Sequence, residues 1–324
     1  MTGTADALGA RSGSPSGRLA GRTAIVTGAS RGIGKAIATA FGSEGAAVAV
    51  VSRTESVWDP RLPGTIHETV EQIVQAGGRA VAVAADLADP RSVEGVLEVV
   101  HGALGPVDLL VNNAALTVPG RPPPPGAPRP GIATPASAAV GTDVGSGIAA
   151  PPTAAAPADP GSFLAFSLKG FRRHFEVGVF AAYRLMQMVL PDMMDLGRGA
   201  IVNVTSVASS VPGEGPYERS GGPTAFAYGG NKAALEHLTR AVAFEMAPHG
   251  IAVNALSPSS PVITPGNLVA APGTVHWASP EGFAEAAVRL ALATPDTMTG
   301  TVAWSDDLLH PELGRRGWLG DVPS

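Results

Sequence analysis

From position 22 onward the chain alternates short β-branched runs with longer Ala-rich amphipathic segments. The runs lie at 23–27, 47–52, 80–84, 108–112, 200–205 and 252–256, with a last one near 301–304. Helices are expected in the gaps, and two are well marked. One, 32–43, follows the first strand directly; the other, 227–246, keeps an apolar stripe through Ala233, Leu235, Leu238 and Val242. Strand and helix in strict alternation predict repeated βαβ units and a parallel sheet. No internal repeat is visible.

One region breaks this rhythm. Between 118 and 161 the sequence is almost wholly Pro, Ala, Gly, Ser and Thr, so it has few side chains to offset the entropy of ordering. It reads as a flexible surface insertion, with a lid over the site or a docking segment as alternatives. A shorter stretch, 211–222, has the same loop chemistry. Residues 1–18 read as a disordered tail, and 19–324 as a single domain carrying the insertion.

Composition narrows the function. A net charge of −5 gives no footprint for nucleic acid, and no basic cluster adjoins an apolar helix to suggest a membrane surface. The absence of Cys excludes disulfides, thiolate catalysis and Cys-ligated zinc, and the scattered histidines form no metal pattern. Residues 1–17 lack the apolar segment of a signal peptide, and no later stretch is apolar enough to span a bilayer. A cytoplasmic protein acting on a small molecule is expected.

The chemistry begins at the end of the first strand, with Thr27, Gly28, Ala29, Ser30, Arg31, Gly32, Ile33 and Gly34. Glycines here permit a tight turn and let a dinucleotide pyrophosphate rest on the free N–H groups of the helix that follows. Alone, such a cluster is also compatible with a plain structural turn. Its T-G-x-x-x-G-x-G spacing resembles the cofactor loop of the short-chain dehydrogenase/reductase family. Asn112, Asn113, Ala114 and Ala115 resemble the family's Asn-Asn-Ala-Gly segment, with Ala115 in place of the last Gly. The resemblance covers nearly all of 19–309 outside the two insertions. It implies a Rossmann-like, doubly wound, three-layer α/β/α fold.

Tyr228 and Lys232 stand four residues apart in the run Tyr-Gly-Gly-Asn-Lys, after Ser206 at the end of the fifth strand. At that spacing they meet on one helix face, where an ammonium stabilises phenolate and moves a phenol from about 10 toward working pH. Tyr228 is then expected to exchange a proton with a substrate oxygen that Ser206 also holds, while a nicotinamide exchanges hydride with the adjacent carbon. The resemblance adds that Lys232 holds the nicotinamide ribose. Tyr217, with Gly221 four residues on, lacks a cationic partner and reads as a loop or pocket side chain.

One departure stands out. The family usually supplies a relay Asn where this chain has Gly178. His174, one turn earlier, is a substitute, although a solvent-facing histidine is the plainer reading.

Arg31 in the glycine loop and Arg53 after the second strand are placed to grip a ribose phosphate, which favours NADP, while Glu55 keeps NAD open. The resemblance puts Asp86 and Leu87 beside the adenine, and Val262 or Thr264 beside the carboxamide. The expected cofactor-binding set is therefore Gly28, Ser30, Arg31, Gly32, Ile33, Gly34, Arg53, Asp86, Leu87, Asn113, Tyr228, Lys232 and Val262, with no metal. Leu268, Val269, Val275 and Trp277 in the substrate cover point to an apolar carbonyl or alcohol; His276 is expected to face water. A homodimer or homotetramer through 171–196 and 227–246 is implied by the family. An NADP-binding sensor or scaffold without turnover is the alternative function.

Overall fold

Successive side chains of β1 (Thr23–Thr27) enter different cores: Ala24 and Val26 pack on one face of the sheet and Ile25 on the other. The same division runs through β2 (Ala47–Ser52) and β5 (Gly199–Val204), so these strands are buried on both sides. That explains their near-continuous apolar sequences. The computed structural model describes residues 17–116, 163–211, 213, 226–270 and 276–313. The 118–161 insertion, Tyr217, Val275 and nearly all of the 1–18 tail and of 211–222 lie outside them.

The remaining strands are β3 (Arg79–Ala84), β4 (Leu109–Asn112), β6 (Ile251–Ser257) and β7 (Val302–Trp304). All seven are parallel, in the order β3-β2-β1-β4-β5-β6-β7. On one face lie α1 (Gly32–Ser43), α2 (Ile66–Gln75) and α8 (Pro280–Ala291). On the other lie α3 (Pro90–Leu104), α5 (Ala181–Leu196) and α6 (Phe226–Met246). This is the three-layer, Rossmann-like arrangement expected. No helix among the described residues is long and apolar enough to cross a membrane.

The helix expected over 171–196 begins earlier and is interrupted. It consists of α4 (Leu168–Phe175), a π-helical stretch at Glu176–Phe180, and α5. Ser167 caps α4 by accepting a hydrogen bond from the Gly170 N–H. The π stretch, a widened turn of the kind that concentrates at functional sites, includes the buried Gly178. Near the C-terminal end are the short helices α7 (Pro265–Ala270) and α9 (Ser305–Leu309).

Asp108 fastens the entry edge of the sheet. Its carboxylate, 2 % exposed, accepts from the Thr23 N–H at 2.9 Å and pairs with Arg22 and Arg198. Asp108→Ala would leave a buried N–H and a half-shielded guanidinium without their acceptor. It should cost about 2–4 kcal/mol in denaturant unfolding, well beyond a surface charge deletion.

Candidate active site

β1 and β4 are neighbours, but the chain leaves them toward opposite faces of the sheet, which opens a crevice at their carboxyl ends. Thr27 and Asn113 lock its two walls together. Thr27 Oγ1 accepts from the N–H groups of Asn113 (2.9 Å) and Ala114 (3.1 Å) and donates to the Val111 carbonyl (3.1 Å). The Asn113 amide donates to the Thr27 carbonyl at 2.8 Å.

Two glycines of the loop are required by this packing. Gly28 has φ +66, and a Cβ there would lie 2.9 Å from the Asn113 amide nitrogen. A Cβ on Gly34 would lie 2.4 Å from the Gly28 carbonyl oxygen. Arg31, at the N-cap of α1, makes no capping hydrogen bond with its side chain. The first-turn N–H groups of a twelve-residue helix are thus left for an anion. The cradle fits a dinucleotide pyrophosphate.

Beyond the loop, Arg31 is half-buried and donates to Thr54 Oγ1 and the Gly64 carbonyl. Burial depresses its guanidinium pKa, and the charge of Arg53 depresses it further. Arg53 itself is exposed. Ser30 is buried, with its hydroxyl accepting from Ser52. Ile33 is partly accessible, and Leu87 is buried. Asp86 receives Arg173 of α4 at 3.1 Å and the Ala88 N–H at 3.1 Å. Val262 is buried, with its carbonyl taken by Asn267. Thr264 instead lies against the glycine loop, 3.1 Å from where a Cβ on Gly32 would sit. His276 is exposed and Trp277 partly accessible.

Across the crevice, the Ser206 hydroxyl comes near enough to the Tyr228 phenol to lower its pKa, so the ends of the long connection between them do meet. Ser206 Oγ also accepts from the Ala208 N–H, capping the turn Val207–Ser209. That turn abuts α6 so closely that a Cβ on Gly229 would lie 2.3 Å from the Ala208 oxygen. Lys232 is 1 % exposed. Its Nζ donates to the Val204 carbonyl at 2.7 Å and lies 5.6 Å from the Tyr228 ring centre.

The electrostatics differ from the sequence expectation. Tyr228 stays partly accessible as a residue, yet burial pushes its phenol above the ordinary value, against the lowering effect of the Ser206 hydroxyl. Burial also pushes Lys232 down to about 8, opposed by Glu236. Desolvation of both groups therefore outweighs the attraction that spacing alone suggests.

His174 corrects a second expectation. It is half-buried rather than solvent-facing; its Nδ1 is enclosed without a partner among the described residues, and burial and the Lys232 charge both lower its pKa. Packing of α4 on α6 brings it in. Asn231 was overlooked, although an Asn inside a helix is an unfavoured choice that asks for a reason. It is 1 % exposed, and its Oδ1 lies 2.5 Å from where a Cβ on Gly178 would sit.

A family model described as short chain dehydrogenase matches residues 22–123 and 152–267. The chain belongs to the short-chain dehydrogenase family. A short chain dehydrogenase of Pseudocercospora fijiensis is 31 % identical over 244 residues, which cover 75 % of this chain and 61 % of the relative. The chain thus spans less than two thirds of that relative's length. A Beutenbergia cavernae structure assigned as an NAD(P)-dependent gluconate 5-dehydrogenase, with NADP bound at low occupancy, is 30 % identical. It superposes with a TM-score of 0.63 over 90 % of this chain and 98 % of its own. A 7α-hydroxysteroid dehydrogenase complexed with NADH and 7-oxo glycochenodeoxycholic acid is 26 % identical, with a TM-score of 0.62 over 89 % and 93 %. Family membership makes this chain an oxidoreductase of the NAD(P)-binding dehydrogenase/reductase type.

The buried lysine has a measurable signature. Its folded pKa of about 8 lies below the ordinary 10.5, so between those values the unfolded chain binds the extra proton and folding stability rises with pH. Below the window Lys232 is charged in both states and its penalty is constant. Urea unfolding of the wild type should give a contribution that rises from pH 8 to about 9.5, on the order of 1 kcal/mol per pH unit. In Lys232→Met that slope should be absent.

Proposed function

We propose that this protein interconverts a carbonyl and a secondary alcohol with NADP, using Tyr228 as the acid/base, Ser206 to hold the substrate oxygen, and Lys232 to anchor the site. The observation that carries this reading is the Ser206 hydroxyl placed near enough to act on the Tyr228 phenol, with Lys232 buried beside it. Two hydroxyls so placed face one reacting oxygen: Ser206 orients it, and Tyr228, kept neutral by burial, gives it a proton in reduction. Lys232, tied to the end of β5 through Val204, supplies a buried positive charge that favours phenolate once the proton has left. The nicotinamide supplies or takes the hydride.

The phosphate preference rests on Arg31 and Arg53. Each lies close enough for Arg53 to depress the Arg31 guanidinium, an arrangement that an anion between them would relieve. The relatives hold both forms, NADP in the gluconate 5-dehydrogenase and NADH in the hydroxysteroid dehydrogenase. The substrate side is apolar, with Ile263 and Leu268 exposed near Trp277. Exposed Phe180 at the end of the π stretch, Tyr183 on α5 and Phe244 on α6 offer the surface on which a second copy would pack.

Fluorescence titration with NADPH and NADH, then a panel of apolar ketones and secondary alcohols, tests the reading. Tyr228→Phe should lose turnover by roughly 10²–10⁴-fold while NADPH still binds. Cofactor binding by the wild type without turnover of any compound would instead favour a sensor or scaffold. In the same titration, Arg31→Ala and Arg53→Ala should each weaken NADPH by about 1–3 kcal/mol and leave NADH little changed. Equal losses for both cofactors would remove the phosphate assignment.

A further inference from the structure

The end of β5 is held by α6 one residue at a time. The Val204 carbonyl accepts from Lys232 Nζ at 2.7 Å, the Thr205 hydroxyl donates to the Glu236 carboxylate at 2.6 Å, and the Ser206 hydroxyl lies by the Tyr228 phenol. Tyr228, Lys232 and Glu236 follow one another at intervals of four, so they line one face of the helix. Two of the three belong to the site described above. Glu236 so far has no part in it.

Two features set this carboxylate apart from a solvated helix glutamate. The first is its partner, a hydroxyl on a residue 2 % exposed, at a length in the range of charge-assisted O–H···O bonds. Thr205 is itself fixed, with its N–H donated to the Leu256 carbonyl at 2.9 Å, and the residue it leads into is Ser206. The second feature is its neighbour. Lys232 lies one turn back on the same face, buried, and gives its hydrogen bond to a neutral carbonyl. A buried ammonium is costly without an opposite charge. β5, β6 and the turn Val207–Ser209 carry no ionisable side chain. α4 contributes His174, which has no negative form to offer, and Glu176 of the π stretch is not among the charges that act on Lys232. Glu236 is, and it opposes the effect of burial.

We propose that Glu236 is a positioning residue with two tasks: through the Thr205 hydroxyl it fixes the segment that carries Ser206 onto α6, and its carboxylate is the counter-charge of Lys232. The inference rests on the carbonyl/alcohol reading above. Each task serves a different partner in proton transfer. Ser206 can orient a substrate oxygen only if its backbone is held against the helix that bears Tyr228, and the helix reaches that backbone one residue earlier, at Thr205. Lys232 can support a phenolate only while it is protonated. Glu236 thus acts through Thr205 and Lys232 and is assigned no contact with a reacting atom.

Two substitutions separate the tasks. Glu236→Gln keeps an acceptor oxygen for Thr205 and removes the charge; Thr205→Val keeps the charge and the shape and removes the hydroxyl. The first arm needs no turnover. In urea unfolding, the stability rise that begins near pH 8 in the wild type, as Lys232 loses its proton, should begin about half a pH unit lower or more in Glu236→Gln, because a lysine without its counter-charge gives up its proton sooner. In Thr205→Val it should begin where it does in the wild type. A rise that begins at the wild-type pH in Glu236→Gln overturns the proposal, whatever the enzyme does.

The second arm uses whichever ketone of the panel turns over with NADPH. In Thr205→Val, kcat should fall roughly threefold to tenfold, with KM for NADPH and the alkaline limb of the pH profile unchanged. In Glu236→Gln the alkaline limb should move toward acid, by about the same half unit as the unfolding window. A kcat within twofold of wild type in Thr205→Val, or an unmoved limb in Glu236→Gln, overturns the proposal; the second is what a merely structural Glu236 would give. If the wild type reduces nothing on the panel, the reductase reading fails, and the unfolding arm still decides whether Glu236 is the counter-charge of Lys232.

Discussion

The hydroxyl of Thr27 holds the crevice together. It accepts two N–H groups from the segment after β4 and donates to β4 itself, at the point where neighbouring strands send their chains to opposite faces. Without that tie the glycine loop and the Asn113 segment would each face water with unpaired backbone, and nothing would fix the distance between the cofactor cradle and the rest of the site. The glycines follow from it. Gly28 and Gly34 fit because the Asn113 amide fills the volume a methyl group would need, so the turn is set by packing against β4 as much as by its own conformational freedom.

A second constraint places α6. The Asn112 amide donates to Asn203, Asn203 donates to Thr239, and Thr239 to the Leu235 carbonyl, which makes a buried polar ladder from β4 through β5 to the helix. Buried ladders of this kind fix register more than they add stability, and here Asn112 Oδ1 is enclosed without a partner among the described residues. Lys232 adds a rung to Val204, and Gly229 lets the helix close on the turn after Ser206. Tyr228 is brought to Ser206 because three separate contacts fix the depth and rotation of one helix. The length of the connection between them in sequence has little to do with it.

Strands and the first helix were legible because their signals are local. A buried parallel strand is a short apolar run, and a helix that starts straight after a glycine turn leaves little freedom in its boundary; 32–43 is the observed α1. The parts that escaped are those where two segments distant in sequence share one volume. Gly178 reads as a missing amide until Asn231 is seen to occupy its place. His174 carries a polar side chain on a helix rich in basic residues, and solvent is the natural guess; only the docking of α4 on α6 encloses its Nδ1. The break of one helix into two around a π stretch has the same origin, since nothing in the periodicity of 168–196 announces it. Spacing put Tyr228 and Lys232 on one face, but spacing carries no information about desolvation, and the direction of both pKa shifts follows from desolvation.

Those shifts bear on which way the chemistry is poised. Burial favours the neutral form of both groups, so the phenol is raised while the lysine falls to about 8. At neutral pH the phenol therefore keeps its proton, and the lysine is still mostly cationic. A site in that state has an acid ready for a carbonyl oxygen and a charge waiting to stabilise the phenolate left behind. Oxidation of an alcohol has to begin from the phenolate, which burial disfavours and which becomes accessible only as pH rises. By then Lys232 is losing the charge that would support it. The same desolvation thus leaves the phenol protonated near neutral pH, which is the form the acid/base role proposed above for Tyr228 needs in reduction.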